Sequence, residues 1–407
     1  MNIYLIAKKL SHSFSKPIHN ALADYSYEYK ELNEDELEEF FEKKEFDGLN
    51  VTIPYKQTVM QYLDSISPEA QKIGAVNTIV NKDGKLYGHN TDYYGFCYEI
   101  KESGADVKNK DVVILGSGGA AKTAICVCSD MEAKSIRTVS SSEIKSGDVG
   151  KYYDAQIVIN ATPVGMYPNT GSAPVKIENF TKCEAVLDLI YNPANTQLIL
   201  DAQKQGMKTA NGLGMLVAQA KRGCEIFTGS NIDNEKISQI RTAIANETKN
   251  IVLIGMPGCG KSTVGKALAE KTGRQFFDCD EEIAKRGKTP AEIIEDAGEE
   301  CFRQIESEVL AELCKKSGCI IATGGGVVTK GRNYDIIHQN ATVVYIELDV
   351  NKLATDGRPL SRGGSDKLMK MFEVRKPLYE KFCHFSVQSQ KHSEKTAEKI
   401  LTMWNKR

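Results

Sequence analysis

Two glycine-rich turns in this 407-residue chain have the composition to hold nucleotide phosphates. The first is Gly116-x-Gly118-x-x-Ala121 within DVVILGSGGAAKTAI (111–125), preceded by a strand-like run and followed by a helical one. Glycines there permit a tight turn and close backbone approach to a pyrophosphate, while helix amides and the helix dipole favour the negative charge. The second is Gly255-x4-Gly260-Lys261-Ser262 within NIVLIGMPGCGKSTVGKAL (250–268), a full P-loop sequence. In such a loop backbone amides cradle the phosphates, the lysine reaches the β/γ oxygens and the serine hydroxyl ligates Mg²⁺. The residues assigned to nucleoside triphosphate are therefore Gly258, Cys259, Gly260, Lys261, Ser262 and Thr263, with Cys259 read as a small filler. No NKxD follows the loop, which argues against a GTPase.

Other residues with chemical potential lie around these turns. FFDCDEEI (276–283) puts two carboxylates at a strand's end. Asp278 is placed to hold Mg²⁺ through water; Asp280 is placed to take an acceptor hydroxyl, to cap a helix, or both. Upstream, GLNVTIPYK (48–56) ends a strand at Pro54 and places Lys56 at a helix start, and GHNTDYYGF (88–96) carries Asp92 in a polar turn. Taken singly, these two are a solvated surface lysine and a turn residue. If they are about 4 Å apart, the carboxylate favours the ammonium by a few kcal/mol and outweighs a helix N-terminus opposing it by about 0.3–1 kcal/mol. After the first glycine turn the next strand ends IRTVSSSEIK, with no acid at its tip for a ribose diol. Ser140, Ser141 and Lys145 would instead face a 2′-phosphate, which points to NADP.

The elements that must position these groups follow from hydrophobic patterning. Strand-like runs (GLNVTI, DVVILG, AQIVINA, EAVLDLI, NIVLIG, CIIATG and TVVYIEL) alternate with amphipathic, charge-rich segments. That alternation predicts an α/β chain with largely parallel sheets. Length argues for two or three domains. SNIDNEKISQIRTAIANETKN (230–250) reads as a last helix plus a short linker, so the main boundary falls near residue 248. Composition is ordinary for a soluble globular chain, at 41% hydrophobic and 26% charged residues, and the net charge of −2 gives no footprint for nucleic acid or an anionic membrane. No apolar run approaches a membrane span. Eleven cysteines without a CxxC pair fit a reduced cytoplasm better than a disulfide framework or a zinc site.

Eight segments in order, SHSFSKPIHN, NVTIPYK, IGAVNT, GHNTDYYGF, GSGGAAK, NATPVGM, DLIYNP and NGLGMLVAQA, closely resemble the shikimate dehydrogenase family over residues 1–245. The resemblance implies a substrate-binding α/β domain at 1–100, completed by 212–245, and a Rossmann-type domain at 101–211. It implies reduction of 3-dehydroshikimate by NADPH, with Lys56 and Asp92 as the catalytic pair. Ser13, Ser15, Thr52, Asn77, Tyr191 and Gln219 would hold the substrate, and Gly116, Gly118, Gly119, Ala120, Thr162, Leu189 and Gly212 the cofactor. Two positions depart from the family: Lys16 separates Ser15 from Pro17 where SxSP is usual, and Ser140–Ser142 replace an Asn-Arg-Thr, removing a cation–phosphate contact.

Downstream, the P-loop is followed by GEECFRQIE, ATGGGVV, DGRPLS and RKPLYE, which in this order resemble shikimate kinase over residues 249–407. The resemblance implies a P-loop domain in which Arg303 and Arg375 clamp the substrate carboxylate. Gly325 would let backbone approach the ring, Asp280 would receive the 3-hydroxyl and Arg358 would sit on a lid over the ATP phosphates. The segment before Arg358 is shorter than the family's lid. The expectation is one enzyme for two consecutive steps of aromatic amino acid biosynthesis, acting on small molecules with NADP(H), ATP and Mg²⁺. The rival expectation is an active dehydrogenase joined to a lid-defective kinase-like domain that only binds ligand.

Overall fold

The structure, a computed structural model describing residues 1–10, 13–349 and 364–405, sorts the strands into three sheets. The first contains β1 (Asn2–Ala7), β2 (Ser26–Glu31), β3 (Gly48–Val51), β4 (Ser65–Ile66), β5 (Thr78–Lys82) and β6 (Lys85–His89), in the order β2-β1-β3-β5-β6-β4. It is mixed: β5 runs antiparallel to both β3 and β6. Helices α1 (Ser15–Leu22), α2 (Leu37–Lys43) and α3 (Pro68–Ile73) connect these strands. The last begins cleanly because Ser67 caps it and Pro68 occupies its first turn, and it ends at Gly74 in the left-handed region (φ 71°).

Helix α4 (Thr91–Ser103) leads to the second sheet, β7 (Asp111–Leu115), β8 (Ser135–Val139), β9 (Ile157–Asn160), β10 (Ala185–Asp188) and β11 (Lys208–Asn211). Its order is β11-β10-β9-β7-β8 and every pair is parallel. The connecting helices are α5 (Gly119–Asp130), α6 (Ser141–Ser146) and α7 (Gln197–Lys204), followed by α8 (Leu213–Thr228) and α9 (Glu235–Thr248). Strands β9 and β10 are buried along their whole length, as a parallel sheet covered on both faces requires. Chain order reverses between β8 and β9 on either side of β7, so the end of β7 is the topological switch point where ligands of such sheets bind.

The third sheet is β12 (Asn250–Ile254), β13 (Phe276–Asp278), β14 (Ile320–Ala322), β15 (Ala341–Glu347) and β16 (Phe385–Gln388), all parallel in the order β13-β14-β12-β15-β16. Around it run α10 (Lys261–Thr272), α11 (Cys279–Ala284), α12 (Pro290–Cys314), α13 (Arg332–His338), α14 (Gly364–Phe382) and α15 (Ser393–Trp404). Helix α12 starts on a capping box between Thr289 and Glu292 and breaks at Gly298 (φ 83°). One residue, Lys249, separates the end of α9 from the start of β12.

The α/β expectation holds, and all seven strand-like runs became strands. Contacts group the chain into two compact units, one of Met1–Met166, Ser172–Tyr191 and Asp201–Ile244, the other of Tyr167–Gly171, Asn192–Leu200 and Ala245–Arg407. Among the described residues no helix is long and apolar enough to cross a membrane. None of the eleven cysteines forms a disulfide. The core of the second unit is centred on β12, where Leu253 is fully buried among Ile251, Val252, Val343 and Val344. Leu253→Ala is expected to destabilise that unit by about 2–5 kcal/mol in denaturant unfolding, and a loss below about 1 kcal/mol would contradict this placement.

Candidate active sites

In the first unit the end of β3 and the start of α4 bring Lys56 and Asp92 together. Lys56 Nζ lies 2.7 Å from Asp92 Oδ2, with both side chains about a quarter exposed (28% and 20%). The local settings differ from expectation. Lys56 sits in a turn two residues before a short 3₁₀ helix (Thr58–Tyr62), so no α-helix dipole opposes its charge. Asp92 lies in the first turn of α4 instead of in a free turn, because Asn90 already ends the strand connection. The Val76 amide donates to the Lys56 carbonyl (2.8 Å) and fixes the lysine's backbone beside β5.

Next to this pair is a buried polar cluster. Asn77 Oδ1 accepts from the Thr91 amide (2.7 Å) and hydroxyl (3.3 Å), and the Thr91 hydroxyl also reaches Gln219 Oε1 on α8 (3.2 Å). Behind it, Tyr27 donates to Asn50 Oδ1 (3.0 Å) and Asn50 Nδ2 donates to Thr78 Oγ1 (3.2 Å). Thr91, Thr78 and Asn50 were not singled out by the sequence, although they stand inside the GHNTDYYGF, IGAVNT and NVTIPYK segments. Ser13 and Ser15 bond each other (3.0 Å) at the start of α1, and Phe14 between them packs edge-on against Tyr191. The displaced Pro17 is accommodated in the first turn of α1, and Lys16 pairs with Glu28 (2.7 Å). The Thr52 amide donates to the Ile6 carbonyl (3.1 Å).

The first glycine turn opens at the end of β7. Gly116 adopts φ 111°, and a Cβ there would stand 3.1 Å from the Ala161 carbonyl oxygen. Gly118 caps α5 without a side chain, and at Gly118 and Gly119 a Cβ would meet open space. The first-turn amides of α5, with Ala120 among them, are thus left for an anion. Gly212 is pressed on Leu189, whose carbonyl oxygen would lie 2.2 Å from an added Cβ, and buried Thr162 bonds Asn160 Oδ1 (2.7 Å). At the end of β8 a capping box folds Glu143 back onto Ser140, its carboxylate accepting from the Ser140 amide (2.9 Å) and hydroxyl (2.7 Å). The Lys151 ammonium and the Ser140 groups hold the Glu143 carboxyl at about 2. An acid therefore does stand at this strand end, delivered from three residues along the chain. Ser141 and Lys145 lie in the first and last turns of α6.

In the second unit one cavity of about 520 Å³ gathers most of the remaining candidates. Gly258, Gly260, Lys261, Ser262, Thr263, Asp278, Asp280, Arg303, Gly325 and Arg375 all line it. Lys261 Nζ donates to the Gly255 (2.9 Å) and Met256 (3.0 Å) carbonyls, and Ser262 donates to Asp278 Oδ2 (2.5 Å). Asp278, not Asp280, is the cap of α11: its Oδ1 accepts from the Asp280 amide (3.0 Å), and Asp280 lines the cavity. Cys259 is buried beneath the loop, 2.9 Å from where a Gly255 Cβ would be, so its role as a filler stands. Arg358 lies outside the described residues.

The guanidinium of Arg303 is already held on two sides, by Glu306 Oε2 (2.7 Å) and Glu299 Oε1 (2.9 Å). Burial pushes the Glu306 carboxyl up while Arg303 draws it back. Arg375 Nη1 donates to the Gly325 carbonyl (3.2 Å), and so does the Tyr379 hydroxyl. Glu306 and Tyr379 were missed, yet each is signalled by helical spacing, three residues after Arg303 and four after Arg375. The three consecutive glycines are steric requirements. A Cβ would lie 2.2 Å from Glu306 Oε1 at Gly324, 2.5 Å from Pro257 at Gly325 and 2.2 Å from the Arg303 guanidinium carbon at Gly326.

Fold and sites together define an α/β enzyme with an oxidoreductase region and a P-loop kinase domain. Residues 5–79 match the family model of the shikimate dehydrogenase substrate binding domain, and residues 257–405 match that of shikimate kinase. A shikimate dehydrogenase (NADP(+)) of Clostridium perfringens is 40% identical over 257 residues, 56% of this chain and 93% of that protein. Shikimate dehydrogenase 1 from Peptoclostridium difficile shares 36% identity at a TM-score of 0.53, covering 60% of this chain and 98% of the other. The Thermus thermophilus shikimate 5-dehydrogenase solved with NADP(H) and shikimate shares 28% identity at a TM-score of 0.54, covering 59% and 98%. The chain belongs to the shikimate dehydrogenase family, and it carries a shikimate kinase domain after the dehydrogenase region.

Gly326→Ala must displace the Arg303 guanidinium. It is expected to lower kinase kcat/KM for the acceptor by about 10-fold or more while leaving ATP-analogue binding, followed by fluorescence, within about twofold. Parallel losses in both would place Arg303 at the nucleotide instead.

Proposed function

We propose that this protein catalyses two consecutive reactions, the NADPH-dependent reduction of 3-dehydroshikimate to shikimate and the ATP-dependent phosphorylation of shikimate at its 3-hydroxyl. The reading for the first step rests on the Lys56–Asp92 ion pair, and for the second on one cavity that holds the P-loop together with Arg303 and Arg375. We assign residues 1–100 and 212–245 to substrate binding, 101–211 to the dinucleotide and 249–407 to the kinase, in a cytoplasmic enzyme whose partners are small molecules.

NADPH supplies the hydride in the first reaction when it is bound. Lys56 gives a proton to the carbonyl oxygen as it becomes an alkoxide, and Asp92 orients the ammonium and accepts a bond from a substrate hydroxyl. Asn77, Gln219, Thr52, Ser13, Ser15 and Tyr191 hold the remaining hydroxyls and the carboxylate. The side-chain-free start of α5, with Gly116, Gly118, Gly119 and Ala120, fits a pyrophosphate; Thr162, Leu189 and Gly212 line the site beyond it. Ser140, Ser141 and Lys145 face the adenosine ribose, where Lys151 offsets the charge of Glu143.

ATP with Mg²⁺ supplies the phosphoryl group in the second reaction. The donors fit the ion: Ser262 and Asp278 offer adjacent hard oxygens, and Mg²⁺ uses few protein ligands and keeps several waters. Lys261 and the amides of Gly258–Thr263 hold the phosphates, and Arg358 is assigned to neutralise their charge. Arg303 and Arg375 take the acceptor's carboxylate, Gly325 gives room to the ring, and Asp280 accepts from the 3-hydroxyl. Positioning and charge neutralisation outweigh base strength in this chemistry.

Lys56→Ala is expected to lower dehydrogenase kcat by about 100-fold or more with little change in KM, and near-normal turnover would refute the assignment. In the kinase reaction, Lys261→Ala and Arg358→Ala are expected to cost more turnover than Asp280→Asn, which keeps the hydrogen-bonding group; equal losses would overturn that ranking. A single purified sample should oxidise NADPH with 3-dehydroshikimate and release ADP with shikimate. ATP binding without shikimate-dependent ADP release would favour the ligand-binding reading of the kinase half.

A further inference from the structure

Helices α4 and α8 meet along a seam on which Asp92, Gly95 and Glu99 share one face of α4 at helical spacing. Gly95 lets the helices touch, since a Cβ there would stand 2.6 Å from the Met215 carbonyl oxygen and 3.2 Å from the Gln219 amide. Two turns on from Asp92, Glu99 is only 4% exposed. Its carboxyl accepts a hydrogen bond from the Met215 amide in the first turn of α8, and its Oε2 has no hydrogen-bond partner. Gly214 makes the room, because a Cβ there would lie 2.2 Å from that oxygen. The same carboxyl thus ties the helix that carries Asp92 to the first turn of the one that carries Gln219.

We propose that Glu99 is a positioning residue of the dehydrogenase reaction: it sets the start of α8 against α4 and thereby holds Gln219 at the Asn77–Thr91 cluster. This rests on the dehydrogenase reading above and adds a residue that touches neither substrate nor cofactor. Glu99 is buried in the seam, and an anion on the unpartnered oxygen is poorly accommodated. Burial pushes the Glu99 carboxyl up to about 7, against the pull of the Met215 amide and of Arg241 on α9, and with the push of Glu102 on α4 itself. A carboxyl raised in the folded state stabilises the fold below its ordinary range, and that contribution is lost as pH rises through about 7. Above that pH the seam carries a charge, α8 loosens and Gln219 is held less firmly.

The test measures kcat and KM for shikimate in NADP⁺ reduction, together with the thermal unfolding midpoint, on the full chain between about pH 6 and 8.5. In the unsubstituted protein KM should rise about fivefold across pH 7, whereas in Glu99→Gln, which keeps the acceptor but cannot ionise, it should stay flat. Glu99→Ala should raise KM about tenfold at every pH with kcat within about threefold, since Lys56 and Asp92 remain paired. The midpoint of the unsubstituted protein should fall relative to Glu99→Gln as pH rises. A Glu99→Gln variant that copies the unsubstituted pH profile, or a folded Glu99→Ala with unchanged KM, overturns the proposal. If Glu99→Ala does not fold, the Gln comparison alone decides. A chain that never reduces NADP⁺ with shikimate overturns the dehydrogenase reading instead, and the midpoint comparison then decides whether Glu99 governs the seam.

Discussion

Backbone meeting backbone where no side chain fits is the constraint on which both sites depend. Gly116 passes close to the Ala161 carbonyl, Gly212 to that of Leu189 and Gly255 to that of Ile346, each at a distance that a Cβ would violate or strain. These contacts bind the turn after one parallel strand to the end of its neighbour or the turn beyond it, where such sheets hold ligands. The turns then expose amides instead of side chains. Phosphate recognition and sheet packing are in this sense the same feature, and a methyl group at any of these positions would disturb both.

Charge is handled differently in the two units. Lys56 and Asp92 form an ion pair that water still reaches. Arg303 is buried, and its fork is held by Glu306 and Glu299 before any ligand arrives. Losing one partner of such a buried pair leaves an uncompensated charge, which costs far more than the pair itself contributes. Glu306 therefore shapes the cavity as firmly as Arg303 does, and Gly324 is what allows it to stand there.

Much of this was legible in the sequence because parallel strands are continuous apolar runs: NIVLI and IVIN can hardly be anything but buried strands. The P-loop reads directly, since each of its residues has a separate steric or electrostatic task. What escaped was set by partners distant in the chain. Edge strand β2 (SYEYKE) is polar and gains its identity only by pairing with β1. Lys56 looked like the start of a helix, but the chain instead turns there, with the Lys56 carbonyl taken by the Val76 amide. The absence of an acid after β8 was a correct reading of the strand tip and a wrong one of space, because the Ser140–Glu143 capping box returns a carboxylate to that tip. Asn50, Thr78 and Thr91 act through one another, and no spacing rule announces a cluster drawn from two strands and a helix.

The join at Lys249 has a consequence for the protein's life in the cell. A helix ends at Thr248 and a buried strand begins at Asn250. Proteases cleave where several residues can be drawn out into an extended, unbonded stretch. This junction offers none, and because one chain carries both regions the reductase and the phosphotransferase are made in equal numbers without any regulator having to balance their synthesis.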